Sequence, residues 1–401
     1  MERKKILFVA EMVTLAHLAR PLLLLQSLDR QRYAPHFACA ARDHAFLSGS
    51  DAEQWVIHSI SSQQFLAALA AGQPVYDEAT LAAYVEEDMR LLDQVRPDVA
   101  VGDFRLSLSV SARKLRIPYV ALSNAYWSPY VRPHYVVPSL PISARLPIAL
   151  ANALFLAVRP LAFAAHTLPL NRVRRRYGLP SLGFDLRRVY TDGDRTLYAD
   201  VPELFPARSM PDTHAYLGAL AWSPPVALPP WWDNWPAGRP LVYVTLGSSG
   251  QAELLAPVLA ALADLPITVI AATAGHLAPA ELPANAYVAQ YLPGEAAAQR
   301  ANLVICNGGS PTSQQALCAG VPVLGIAANL DQFLNMGGGV RAGAGRLLRA
   351  DRFARADVRA AVTDMLDHVG VRAQAFRLGQ VFARYQPAAR FAAVLRELAP
   401  M

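Results

Sequence analysis

Short apolar runs alternate with longer stretches of helical spacing along most of this chain. Ile6–Ala10, Ala34–Ala40, Val99–Gly102 and Tyr119–Leu122 are apolar runs of strand length, and between them Leu18–Leu28, Glu78–Gln94 and Leu106–Leu115 carry apolar residues every three or four positions. Strands covered on both faces lose the polar half of the usual alternation, so unbroken apolar runs separated by amphipathic helices predict parallel sheets with helices on each side. The pattern restarts late in the chain, with strands expected at 241–246, 267–271, 286–288, 303–306 and 321–325 and helices at 252–263 and 312–319. Between the halves, Trp222 to Pro236 is crowded with prolines, which fit neither a helix interior nor a central strand. The expected organisation is an α/β fold of two doubly wound, Rossmann-like domains facing across a cleft. Residues 1–221 form the first, 222–240 a Pro/Trp-rich linker and 241–375 the second, with a C-terminal helix in 376–401 packing back on the first.

At 401 residues the chain exceeds what one core usually serves, which agrees with two domains. A net charge of +6 suits an anionic ligand or an acidic membrane surface, but the cations are scattered, with one dense run at Arg172–Arg176, and nucleic acid is not expected. Cys39, Cys306 and Cys318 lie at no metal-ligand spacing, which predicts reduced thiols and a cytoplasmic protein. The first apolar run is ended by Glu11, too early for a signal peptide. Leu146–Leu170 is apolar but interrupted by Pro147, Arg159, Pro160, His166 and Pro169, so a membrane span is not expected. With the basic run behind it, this segment is either a buried helix beside a solvated basic face or a peripheral contact with an anionic bilayer.

Two glycine turns carry candidate chemistry. Asn307-Gly308-Gly309-Ser310-Pro311-Thr312 follows an apolar run and opens a helix, where free backbone N–H groups and the helix dipole favour an anion. Alone it is equally an ordinary strand-to-helix turn. Gly247, Ser248 and Ser249 form a second such turn after the run at 241–246. Asp331, Gln332 and Asn335 stand beyond the next strand, at the sheet edge where open α/β folds bind ligands, and offer polar groups suited to sugar hydroxyls. The plainer role for Asp331 is a helix N-cap. In the first half, His17 follows strand one and Asp103 ends another strand at the same edge. A histidine oriented by a carboxylate is a general base, whereas a lone histidine is more often a core or capping residue. Asp98, ahead of its strand, reads as a solvated cap.

From about Leu241 to Arg349 the chain resembles the nucleotide-sugar half of the UDP-glycosyltransferase superfamily, including the bacterial macrolide-type enzymes of the two-domain GT-B fold. The resemblance rests on Thr245-Leu-Gly-Ser-Ser249, Gln290-Tyr-Leu-Pro293, Asn307 to Thr312, Ala316-Leu317, Ala319-Gly-Val-Pro322, and Asp331-Gln332 with Asn335, in family order. It implies a nucleotide diphosphate sugar bound wholly by the second half. The lack of an Asp-x-Asp motif beside a sugar-binding strand predicts a metal-independent transferase with no further cofactor, and a base on one side with the leaving group on the other predicts inversion. Tyr291 would lie at the base, Gln315 at the ribose, Gly247, Ser248, Ser249 and the Asn307, Gly308, Gly309, Ser310 and Thr312 loop at the phosphates, and Asp331 and Gln332 at the sugar. His17 would be the base and Asp103 its partner. The family's usual histidine, glycine and glutamate are replaced here by Asn307, Pro311 and Gln315, and one extra residue separates His17 from Pro21. An aromatic loop carrying Tyr126, Trp127 and Tyr130 is the expected wall for a small, apolar or lipid-like acceptor, or else a proline-rich structural loop. Two other readings stay open: an epimerase or related enzyme of the same fold, and an inactive partner of an active transferase.

Overall fold

The computed structural model describes residues 3–223, 226–247 and 252–400. The chain forms two compact units, Met1–Arg132 with Ala157–Leu220 and Tyr385–Met401, and Pro133–Leu156 with Ala221–Arg384. This division departs from the sequence boundaries, and the stretch expected as a linker, 222–240, falls wholly in the second unit. Residues 133–156 go with the second unit, and the single C-terminal helix is two, Val369–Arg384 in the second unit and Pro387–Leu398 in the first. Pro387 explains the break: it opens a new helix at its first turn and cannot continue an old one.

The first unit holds a parallel sheet of β1 (Lys4–Ala10), β2 (Tyr33–Cys39), β3 (Glu53–Val56), β4 (Val99–Asp103), β5 (Tyr119–Ser123), β6 (Arg195–Tyr198) and β7 (His214–Tyr216). Their order is β3-β2-β1-β4-β5-β6-β7. β1 and β4 are neighbours with Ala10 opposite Asp103, so the loops after them emerge side by side. The second unit's sheet contains β8 (Leu241–Thr245), β9 (Thr268–Ala272), β10 (Ala286–Ala289), β11 (Leu303–Cys306), β12 (Val323–Ala327) and β13 (Gly345–Arg349) in the order β10-β9-β8-β11-β12-β13. Both orders reverse direction beside the first strand of their sheet, the arrangement that opens a ligand crevice at the carboxyl ends of the strands. Leu303, Ile305, Val242, Val244 and the helix residues Val258 and Leu262 make the buried centre of the second sheet.

Two sequence expectations need correction here. The Pro/Trp-rich stretch is not an open linker throughout: Trp232 is buried, Trp231 and Trp235 pack near Tyr287, and the Arg300 guanidinium lies 4.5 Å from the Trp235 ring centre. The apolar segment is no buried helix either. It belongs to the 29-residue helix Ile148–Arg176, long and apolar enough to cross a membrane by length and composition, and only 6% of its most apolar window is buried.

Candidate functional site

In the first unit the loop after β1 turns into helix Leu15–Gln26, with His17 in its first turn. Pro21 sits inside this helix and lacks the N–H that would bond the carbonyl of His17. His17 Nδ1 is 2.7 Å from Asp103 Oδ1. Two lone pairs do not approach to that distance, so the proton sits on Nδ1 and donates to the carboxylate, which leaves Nε2 as the basic nitrogen. Asp103 is fully buried, and His17 keeps part of its ring open.

Arg20, one turn after His17 on the same helix, completes the arrangement. Its Nε donates to Asp103 Oδ2 at 2.7 Å and its Nη2 to Oδ1 at 2.7 Å, a two-pronged grip. Its Nη1 donates to Asn124 Oδ1 at 2.6 Å, and Asn124 in turn donates to Asp200 at 3.1 Å. Arg20, Asn124, Asp103 and Asp200 are all buried. The carboxylate that orients the histidine is thus itself held in one orientation by a guanidinium tied to β5 and β6. Asp98 lies at the other end of β4, where it accepts from Lys4 Nζ at 3.0 Å and the Lys5 N–H at 2.8 Å, and takes no part in the site.

Phe104, next after Asp103, has a φ of 58°, a left-handed conformation unusual for so bulky a residue. Its ring stacks on His17 with centroids 4.9 Å apart and meets Tyr190 at 5.3 Å. Rings packed on several sides keep a backbone conformation that costs about 1–3 kcal/mol when unsupported. Arg105, fully buried, donates to Glu11 at 2.8 Å, Asp88 at 3.0 Å and Glu87 at 2.9 Å, which locks together the loops after β1 and β4. Burial pushes the Asp88 carboxyl up, and the Arg105 charge opposes that.

The expected acceptor residues separate. Tyr126 is fully buried against Phe205 and offers a ligand no surface, a correction to the sequence reading. Trp127 is half-buried, edge-on to Tyr190 at 5.0 Å and near Phe163 at 6.3 Å, so it joins the aromatic wall that ends at His17. Tyr130 packs edge-on against His214 at 5.1 Å. The Tyr198 hydroxyl lies 2.7 Å from His214 Nδ1, and burial lowers the His214 pKa from 6.5 to about 4. The fold holds this ring neutral while the unfolded chain does not, so its contribution to stability is full above about pH 6.5 and is lost as the pH falls towards 4. Thermal unfolding across that range should show His214→Gln with a shallower loss of Tm than the natural protein; parallel curves would remove His214 as the cause.

In the second unit the glycine turn after β11 opens a helix, as its sequence suggests. Gly308 has a φ of 83°, and a Cβ there would meet Met336 at 2.9 Å. Gly309 caps helix Ser310–Cys318 and its N–H donates to Asn307 Oδ1 at 3.0 Å. Pro311 stands in the first turn, with Ser310 buried and Thr312 half-buried beside the glycine turn. Gly247, φ 66°, brings the turn after β8 against Asn307, since a Cβ on it would stand 3.2 Å from the Asn307 amide nitrogen. Ser248 and Ser249 lie outside the described residues.

Asn329, not Asp331, caps helix Leu330–Arg341, so Asp331 in its first turn is not the cap. Gln332 Oε1 accepts from the Ala328 and Asn329 N–H groups at 2.8 and 3.2 Å, and its Nε2 is buried with no partner among the described residues. Asn335 donates to the Gly308 carbonyl at 2.7 Å and Ser313 Oγ at 2.8 Å, tying the glycine turn to this helix. Gln315 Nε2 donates to the Trp222 carbonyl at 2.6 Å. Tyr291 is exposed after β10, its hydroxyl beside Gly275.

Sequence reasoning missed Arg20, Asn124, Asp200 and Phe104. For Arg20 a signal existed: one cation one turn from a histidine in the otherwise apolar LAHLARPLLLLQ helix.

Residues 256–396 match the family described as "Erythromycin biosynthesis protein CIII-like, C-terminal domain". The chain is 53% identical over 95% of its length, and 85% of the relative's, to a PGL/p-HBAD biosynthesis rhamnosyltransferase of Mycobacterium bovis (strain BCG / Pasteur 1173P2). It is 48% identical, over 65% of its length and 71% of the relative's, to an inactive PGL/p-HBAD biosynthesis glycosyltransferase of the same strain. Among solved structures, the spinosyn rhamnosyltransferase SpnG complexed with thymidine diphosphate superposes with a TM-score of 0.70 at 20% identity, covering 98% of this chain and 99% of that one. Such a likeness shows a shared fold.

Proposed function

We propose, for a chain that belongs to the family of PGL/p-HBAD biosynthesis glycosyltransferases and has their GT-B fold, that it transfers a hexose-type sugar with inversion from a nucleotide diphosphate to a hydroxyl of a small apolar or lipid-like acceptor. The observation that carries the reading is the His17–Asp103–Arg20 array. It leaves Nε2 as the basic nitrogen of a partly open ring beside an aromatic wall. In the reaction the acceptor O–H gives its proton to Nε2 as its oxygen bonds to the anomeric carbon. The bond from that carbon to the diphosphate oxygen breaks, and its electron pair leaves with the nucleotide. Asp103 stabilises the imidazolium that forms. On the donor side, the start of the Ser310–Cys318 helix meets the leaving charge with the positive end of its dipole, and the Gly308–Gly309 turn lets the diphosphate come close to it, so the reading needs no metal. Asp331 and the Gln332 amide nitrogen serve the sugar, Gln315 the ribose and Tyr291 the base.

The name of the first relative, a rhamnosyltransferase, favours a rhamnosyl donor, and the thymidine diphosphate complex of the SpnG neighbour favours dTDP over UDP. A thermal-shift panel of UDP, dTDP, GDP and their sugar conjugates tests this, because a ligand at 100 times its Kd adds about 2.7 kcal/mol of stability. The expected result is a shift with dTDP and a larger one with dTDP-rhamnose. In Asp331→Ala the extra shift from the sugar should vanish while the dTDP shift remains; equal losses would remove Asp331 from the sugar. A second reading, an inactive partner, is favoured by the inactive relative and by the commitment of Gln315 to Trp222, and a folded protein that shifts with no nucleotide would select it.

A further inference from the structure

Helix Ile148–Arg176 wears its apolar face outward. Ala157, Val158, Leu161, Ala165 and Leu168 fall at helical spacing on one stripe, all exposed, with Val158 at 55% and Leu161 at 73%. The stripe runs back along the same helix through Leu154 and Leu150, so it spans about 27 Å at the α-helical rise per residue. It holds no charged residue until Arg172, Arg175 and Arg176, which are exposed on the last turns. Beside it Phe184 is 70% exposed, in a loop pinned to the helix because Asn171 Nδ2 donates to the Gly183 carbonyl at 2.8 Å.

The opposite face is committed to the protein. Leu170 and Val173 are buried in the cluster that includes Phe104, Trp127, Phe163 and Tyr190. Arg174 is buried and donates to Asp192 at 2.7 Å. A helix with one face in a protein core and the other open does not span a bilayer alone; it lies along a surface. Its surroundings name the surface. From Phe104 to Phe184 the sequence has no Asp or Glu and eleven Lys or Arg residues; Arg105, Arg113 and Arg174 are taken up by carboxylates of the fold, and Arg172 and Arg176 share the single carboxylate of Glu78 beside Arg175, so the rim keeps an excess of positive charge. Any pairing of two copies through this stripe would set cationic rims against cationic rims, whereas an anionic headgroup layer complements both the stripe and its rim.

We propose that this stripe seats the protein on an anionic lipid bilayer, so that an acceptor held in that bilayer reaches the aromatic wall leading to His17. The wall runs without a break from Phe163 on the helix through Trp127, Tyr190 and Phe104 to the His17 ring, each pair with ring centres between 4.9 and 6.3 Å apart. The inference deepens the glycosyl-transfer reading by giving its acceptor a source, and only that link rests on it.

Co-sedimentation with vesicles of phosphatidylcholine alone, and with about one third phosphatidylglycerol, tests the docking without any sugar nucleotide. The natural protein should pellet with the anionic vesicles, less at high salt, and poorly with the neutral ones. Leu161→Asp with Leu168→Asp should lower that partition at least about tenfold, and Arg175→Glu should lower it less, while unfolding temperature and turnover of a water-soluble acceptor stay unchanged. Equal binding to neutral vesicles, no binding to either, or full binding by the double variant would overturn the proposal. So would a dimer in sedimentation that Leu161→Asp dissociates without lipid binding. Turnover of the soluble acceptor is read separately, so failure to dock and failure to transfer a sugar are distinguishable.

Discussion

His17→Ala should lower turnover at least about 100-fold at saturating donor and acceptor, while the thermal shift with dTDP stays as in the natural protein. The size follows from what a positioned base contributes when an alcohol attacks a saturated carbon. Selectivity follows from the architecture: His17 lies in the first unit, and the residues proposed for the nucleotide lie in the second. The ring also carries little of the fold. It is partly open, its bond to Asp103 is one of three that the carboxylate accepts, and Arg20 supplies the other two. Unfolding stability should therefore change by less than about 1 kcal/mol, near the net worth of one hydrogen bond. Initial rates measured at several donor concentrations separate the cases. A variant that keeps near-natural kcat takes His17 out of the mechanism, and one that loses rate only through a raised KM makes it a binding residue.

How much of this was legible in the chain depended on burial. Strands β1, β2, β4, β5, β8 and β9 are covered on both faces, and each appeared as an apolar run. β3 and β13 did not, because both are edge strands: Glu53–Val56 leaves three of its four residues exposed, and Gly345–Arg349 mixes arginine with leucine. His17 and Asp103 were legible because their chemistry is written in residue type and strand ends. The place of Arg20 one turn after His17 was visible but its role was not, since what recruits a buried arginine is the carboxylate and amide that the fold brings from β4 and from the end of β5. Tyr126 was misplaced for the converse reason. Loop aromatics look alike in sequence, and only packing separates a ring that faces Phe205 from one that faces Tyr190. The apolar helix could be read as buried or as facing a bilayer, because hydropathy reports composition and not which face the protein covers.

Asp103→Asn should damage both rate and stability, and the way the two losses separate identifies what holds the base. The carboxylate accepts His17 Nδ1–H and Arg20 Nη2 on one oxygen and Arg20 Nε on the other. An asparagine can offer one acceptor; its NH₂ must face either the histidine or the guanidinium. Facing His17, it converts the ring to the tautomer protonated on Nε2, and the base is lost. Facing Arg20, it sets N–H against N–H, and in either orientation the buried guanidinium loses the charge of the Asp103 carboxylate. The expected loss is about 10³-fold or more in kcat, as for the aspartate of a hydrolase triad. About 3–5 kcal/mol of unfolding free energy should go with it, the cost of breaking a buried pair. Adding Arg20→Met removes the stranded cation, so urea unfolding of the double variant should show less loss than the two single variants together by more than about 0.5 kcal/mol. Its kcat should stay low, because the imidazolium still lacks its carboxylate. Stability losses that simply add would mean that Arg20 and Asp103 do not act as a pair, and recovered turnover would mean that the guanidinium, not the lost carboxylate, had silenced the base.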